Sequence, residues 1–243
     1  MKVNENTAIS TPRVLLVPYD RRHVPTYHDW MEDEAVRAAT ASDRLTLEEE
    51  YENQESWRAA NDKLTFIVCQ PTASTASTAS DSEGTKIVGG VDDAPDHMVG
   101  DINFFLTPFE DEEEGEQKND GVALLTGEVD VMIARLEHRR QGFGRAAVTA
   151  FLHYILQSQR EAILAEAAAG ADPLFSKPGA TPQLKQLVVK IQATNLASIG
   201  LFTSLGFVQK GSVNYFGEVE LVRTDLTAAA PEGYTEKVYE RND

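Results

Sequence analysis

The sequence is short of cysteine, of positive charge and of long apolar runs, and each shortage closes off a class of function. Cys69 is the single cysteine among 243 residues, so neither an internal disulfide nor a cysteine zinc site can form. His23, His28, His97, His138 and His153 show no metal-ligand spacing, and no metal is expected. No run approaches the roughly 20 apolar residues that span a bilayer, and the opening MKVNENTAIS has no stretch of signal-peptide length. Together these predict an intracellular, cytoplasmic chain. Lys and Arg number 22 against 39 Asp and Glu, a net charge of −17. Such a surface repels nucleic-acid phosphates and anionic membranes and attracts cationic or amine-bearing partners. Part of that charge is local, because EDEEEGE at Glu110–Glu116 has no periodicity and reads as a solvated loop.

What is present reads as one α/β domain over residues 1–243. RVLLV at Arg13–Val17 predicts a strand ended by Pro18. HVPTYHDWM predicts a helix with Pro25 at its start. Thr46 and Glu49 form a T-x-x-E capping box, followed by Leu47 and Tyr51 at i and i+4, which predicts a helix running to about Ala60. Strands follow at Leu64–Cys69, Val99–Leu106 and Leu124–Ala134. A low-complexity insertion (71–85) and the acidic loop (108–121) interrupt them. A helix opens near Gly142 with Phe143, Ala147, Phe151 and Tyr154 on one stripe. Leu187–Ala193 alternates as a strand, a short helix spans Leu196–Leu205, and strands at Phe207–Ser212 and Glu218–Leu226 finish the domain. The tail from 228 to 243 gives little reason to expect order. This succession suits a mixed sheet with helices on both faces.

The most informative segment is EVDVMIARLEHRRQGFGRAAVTAFLHY. A strand leads through a short loop into Gly142 and Gly144, which open a helix. Glycines there let backbone approach a ligand, and the free N–H groups of a helix start form an anion site. Arg139, Arg140 and Arg145 supply local basicity against the global sign. A purely structural loop explains the glycines about equally well. The G-x-x-x-x-G-K-[ST] pattern of a P-loop is absent, as is the third glycine of the dinucleotide-binding fingerprint.

Arg139-Arg140-Gln141-Gly142-Phe143-Gly144 resembles the acetyl-CoA motif [QR]-x-x-G-x-[GA] of the GNAT superfamily. NLASIGLFTSLGF, from Asn195 to Phe207, resembles that family's later N-x-x-[SA] and G-F segment. RVLLVPY, HVPTYHDWM, TASDRLTLEEEY, LTFIV, GDINFFL and GEVDVMIA resemble the N-acetyltransferase 9-like branch. The resemblance implies a central, mostly antiparallel mixed sheet flanked by helices and a reaction that moves acetyl from acetyl-CoA to an amine. It implies that Met132, Ile133 and Ala134 line the pantetheine arm, and that Arg139, Arg140, Gln141, Gly142, Phe143, Gly144 and Arg145 line the pyrophosphate. Asn195 would bond pantetheine, or act as a plain helix cap.

Within that expectation the Ile133 amide polarises the thioester carbonyl, and Glu128 or Asp130, on one strand face, takes the amine proton. Two exposed strand carboxylates are the plainer reading of that pair. Phe202 stands where many family members carry a tyrosine that protonates the leaving thiolate; Tyr215 is a distant substitute. The acidic surface and the branch point to a protein or peptide N-terminus or a lysine as acceptor, a small amine being an alternative. A degenerate module that binds acetyl-CoA or a protein partner such as the cytoskeleton, with little turnover, is the competing reading.

Overall fold

A computed structural model describes residues 1–72, 86–110, 121–170 and 180–242. Most of the expected insertion and of the acidic loop therefore lies outside the described residues. In chain order the elements are β1 (Thr7–Ser10), β2 (Leu15–Pro18), α1 (Val24–Met31), α2 (Glu34–Thr40), α3 (Leu47–Ala59), β3 (Lys63–Cys69), β4 (Ile87–Val88) and β5 (Met98–Pro108). They continue with β6 (Val122–Ile133), α4 (Phe143–His153), α5 (Arg160–Ala169), β7 (Thr181–Gln192), α6 (Leu196–Ser204), β8 (Val208–Lys210), β9 (Glu218–Arg223) and β10 (Thr235–Glu240). Among the described residues one sheet holds ten strands in the order β4-β10-β1-β2-β3-β5-β6-β7-β9-β8. Two pairings are parallel, β6 with β7 and β10 with β4, so the mixed, mostly antiparallel sheet expected from the sequence is the one found.

Alternation along the strands sends side chains to two separate cores. One core, under α4 and α5, is built on Phe66, Phe104, Phe151 and Tyr154. Phe66 meets Phe151 and Tyr154 edge to face, with ring centroids 5.9 and 5.4 Å apart. The other core, under α1 and α2, gathers Leu15, Val17, Ile67, Met132 and Ala134 beneath Tyr27, Trp30, Met31 and Val36. A layer of helices on each face follows directly, since each apolar face has to be covered.

Local chemistry sets the helix ends. The capping box of α3 is complete: the Glu49 amide donates to Thr46 Oγ1 at 3.3 Å, and the Thr46 amide donates to Glu49 Oε2 at 2.7 Å. The buried face of α3 is nevertheless polar, formed by Glu50 and Gln54, while Leu47 is exposed. The helix expected from Gly142 runs as α4, a π-helical turn at Tyr154–Ser158, and then α5.

The tail corrects the expectation of disorder. Residues 235–240 form β10, which pairs with β1 and β4. Its Tyr239 is 1% exposed and donates to Asp93 Oδ2 at 2.6 Å. One buried aromatic among charged neighbours is a weak signal in sequence. The strand it docks on, β1, is only four residues long and was itself not expected.

Candidate active site

Strands β6 and β7 start together and part. Their parallel ladder ends at Glu128↔Val188, whereas the ladder between β6 and β5 continues to Ile133↔Gly100. Past Val188, β7 pairs only with β9. The Ala134 amide donates to Val99 O at 2.9 Å. Antiparallel alternation therefore commits the backbone of Met132, Asp130 and Glu128 to β5, and turns the amides of Val131 and Ile133 toward the side that β7 has left. A Cβ on Gly100 would sit 1.8 Å from Met132 O, so only glycine permits this end of the β5–β6 ladder to close.

The turn after β6 is held by its own side chains. Arg139 donates through Nε to Ile133 O and through Nη2 to Ala134 O, both at 2.9 Å. Gln141 Nε2 donates to Glu137 O. Arg140 and Gly142 take left-handed φ values of 60° and 88°, and alternation of this kind makes successive amides converge. Gly142 caps α4 without any side-chain bond. Among the described residues the first amides of α4 thus have no capping side chain, and they lie at the positive end of the helix dipole. Arg145 reaches Ser204 Oγ at 2.5 Å and ties the start of α4 to the end of α6.

On the α1–α3 side of the gap lies a cavity of about 220 Å³. Asp101 and Asn103 of β5, Glu128 and Asp130 of β6, Lys190 of β7 and Glu218 of β9 furnish its polar wall, and Tyr27, Trp57, Phe105 and Phe202 its aromatic one. Asp130 lies directly across from Asn103 on the neighbouring strand. Lys190 Nζ contacts Glu128 Oε2 at 2.6 Å. Asp101 is 2% exposed and accepts from Asn103 Nδ2 at 2.8 Å, with Tyr27 Oη at 3.5 Å. Burial raises its pKa to about 6 against the pull of those two donors. Asp130 is raised further, to about 7, by burial first and then by the negative charges of Glu128 and Asp101, with Lys190 opposing them. A carboxylate that titrates near neutrality beside an opening in the sheet has the proton affinity of a general base.

The profile of the acetyltransferase (GNAT) domain matches residues 13–208. The chain belongs to the GNAT acetyltransferases. Within them it falls in the N-acetyltransferase 9 group. It is 41% identical to the alpha/beta-tubulin-N-acetyltransferase 9 of Drosophila melanogaster over 92% of this chain and 89% of that one. It is 36% identical to an N-acetyltransferase 9-like protein of Schizosaccharomyces pombe over 91% and 97% of the two chains. To the human alpha/beta-tubulin-N-acetyltransferase 9 it is 35% identical over 91% and 84%. Solved structures of the same fold include a Vibrio cholerae spermidine N-acetyltransferase with CoA and spermine (TM-score 0.53, 13% identity, 87% and 94% covered). Another is an aminoglycoside acetyltransferase with coenzyme A (TM-score 0.52, 14% identity, 87% and 95% covered). The chain is therefore an N-acetyltransferase, and its described residues hold no helix long and apolar enough to cross a membrane.

Of the residues expected in this GNAT site, Glu128, Asp130, Met132, Asn195 and Phe202 all line the cavity. Met132 and Ala134 are buried in the α1-side core, and Ile133 packs against the other core. Phe143 is buried under the turn. Asn195 caps α6, its Oδ1 accepting from the Ser198 amide at 3.2 Å, so the capping reading is realised at the edge of the cavity. Phe202 is 2% exposed and packs edge-on against Phe207, ring centroids 5.2 Å apart. Tyr215 is 96% exposed on the β8–β9 hairpin and does not line the cavity. Sequence reading missed Asp101, Tyr27 and Lys190. A signal for the first was present: Asp101 and Asn103 alternate on one face of an otherwise apolar strand, VGDINFFL.

Proposed function

We propose that the enzyme transfers the acetyl group of acetyl-CoA to a protein or peptide amine by direct attack, with Asp130 as the proton acceptor. The observation that carries this reading is the parting of β6 and β7 beside Asp130: unpaired strand amides on one side, a raised-pKa carboxylate on the other. The amides that open α4, with Arg140 near them, suit a pyrophosphate. The freed edge of β6 offers peptide-like donors and acceptors to the amide-containing arm of CoA. Acetyl-CoA supplies the activated acyl group. The chain supplies the rest: the Ile133 amide donates to the carbonyl oxygen, and Asp130 takes the proton that the acceptor amine gives up as it attacks. Glu128 and Glu218 surround the same cavity with negative charge, which favours a cationic acceptor and disfavours an anionic one.

The names of the Drosophila and human relatives make the N-terminal segments and lysines of tubulin the first acceptors to try. A cytoplasmic site of action agrees with that choice. Phe202 favours one rival reading, a module that binds acetyl-CoA and a protein partner with little turnover, because its ring has no proton for the departing thiolate.

The deciding experiment is calorimetric titration with acetyl-CoA, followed by CoA release with peptides bearing free N-termini or lysines. Gly142→Glu puts a carboxylate and a strained φ in the turn and should abolish binding. Binding with turnover supports the enzyme; binding without turnover supports the rival; wild-type protein that fails to bind acetyl-CoA overturns both.

A further inference from the structure

Lys190 was not among the expected site residues, yet among the described residues that line the cavity it is the sole Lys or Arg, beside four carboxylates. It sits two positions past Val188, the last residue of β7 paired to β6. Val188 lies beside Glu128 in register, and in a parallel pair such partners share a face. Lys190 therefore presents its side chain on the face that carries Glu128 and Asp130, and reaches back across the opening to Glu128 Oε2 at 2.6 Å. The ammonium is partly exposed, with 44% of its side-chain surface open against 21% for Glu128. Exposed ion pairs contribute little to stability, so its effect on the charges around it is the larger consequence.

We propose that Lys190 is a positioning residue that divides the work of the two β6 carboxylates: it engages Glu128 as an ion-pair partner and leaves Asp130 to receive the acceptor's proton. The proposal rests on the acetyl-transfer reading and adds a residue to it. Asp130 is faced by Glu128 on its own strand, Asp101 and Asn103 from β5, Tyr27 from α1, Lys190 from β7 and Glu218 from β9. Glu220, the partner of Lys190 across the β7–β9 ladder, adds a further negative charge. In that acidic setting Lys190 is the group that opposes the rise of Asp130. During transfer the amine's proton passes to the Asp130 carboxylate, directly or through one water, as the new N–C bond forms and the C–S bond breaks; the thiolate takes its proton from solvent.

Removing the ammonium subtracts an attraction and leaves Glu128 as an unopposed like charge. Both changes push Asp130 upward. Lys190→Met keeps the stem and loses the charge, whereas Lys190→Arg keeps both. Carbon-13 NMR of protein labelled at the Asp carboxyl carbons reads the Asp130 titration without any turnover. Its midpoint should rise by about 0.5–1 pH unit in Lys190→Met, and stay within about 0.2 unit of wild type in Lys190→Arg. The pH profile of CoA release, with acetyl-CoA and the best of the free-N-terminus or lysine peptides, should show the matching loss. That loss is about 3–10-fold at pH 6.5 and shrinks to under about twofold at pH 9. An unmoved Asp130 titration, an equal loss at every pH, or a Lys190→Arg variant that behaves like Lys190→Met overturns the proposal. Because the NMR arm needs no turnover, it separates a failure here from a failure of the acetyl-transfer reading.

Discussion

Asp93 is buried and Asp130 half-buried, and their surroundings pull them in opposite directions. Asp93 lies past β4, near one edge of the sheet, and is 1% exposed. It accepts from Tyr239 Oη at 2.6 Å, from the Gly90 amide at 2.5 Å and from His23 Nε2 at 2.9 Å. The Asp20 amide donates to His23 Nδ1 at 3.0 Å, so Nε2 is the nitrogen that carries the proton toward Asp93. Burial alone would raise Asp93, but these donors outweigh it and hold the carboxyl below its usual range. Asp130 has burial and three like charges, Glu128, Asp101 and Glu218, against the single opposing cation Lys190, and ends near 7. A carboxylate given every donor it can accept locks chain segments together; one denied them keeps its affinity for a proton.

The signs of the two contributions to stability follow. Asp93, depressed in the folded state, stabilises the protein above the unfolded value of about 3.9. That contribution is lost as pH falls through the lower folded value. Asp130, raised to about 7, does the reverse: its charged form is disfavoured by folding, so the protein gains stability as pH drops from about 7 toward 4.

The largest expected effect is on chemistry. Asp130→Asn should lower kcat by about 10²–10⁴-fold, the usual worth of a general base, with the Kd for acetyl-CoA within about twofold of wild type. The same variant should melt higher than wild type at pH 8 by roughly 3–8 °C, and the gain should vanish near pH 4. Asp93→Asn should show the mirror image. Leaving His23, Tyr239 or Gly90 short of an acceptor costs about 2–4 kcal/mol and lowers Tm by roughly 5–15 °C at pH 7. The activity of the folded fraction stays near wild type. Stopped-assay kinetics and calorimetry across pH test both arms. An Asp130→Asn protein that stays active and melts lower would make the two aspartates alike and remove the contrast.

How far this was legible in sequence differs between the two centres. The cavity lies on long, strongly patterned elements. GEVDVMIA alternates cleanly, which places Glu128 and Asp130 on one face, and the glycines after it mark the turn. What the pattern cannot carry is pairing across the sheet. Asp101, Tyr27 and Lys190 come from β5, α1 and β7, and only strand register and the packing of α1 on the sheet bring them to Asp130. The Asp93 centre was invisible for the same reason in stronger form. Its members lie at positions 20–23, 90–93 and 239, on short or irregular segments where periodicity has no room to develop.

The smallest effect expected is also the sharpest, because each of the two centres has its own tyrosine. Tyr239 meets Asp93 at 2.6 Å, whereas Tyr27 stands 3.5 Å from Asp101, the carboxyl that neighbours Asp130. Hydrogen-bond strength falls steeply over that difference. Tyr239→Phe removes a charge-assisted bond and should cost about 1.5–3 kcal/mol; Tyr27→Phe should cost under about 0.5 kcal/mol. Tyr27 still helps hold Asp101 down near 6, so its loss lets Asp101 rise, and a protonated Asp101 repels Asp130 less. The acid limb of the rate profile should then move to lower pH by a few tenths of a unit in Tyr27→Phe and stay put in Tyr239→Phe. If Tyr27→Phe instead melts as low as Tyr239→Phe, Asp101 is a structural anchor after all, and the boundary between the locking and the reacting carboxylates runs between Asp101 and Asp130 rather than around them both.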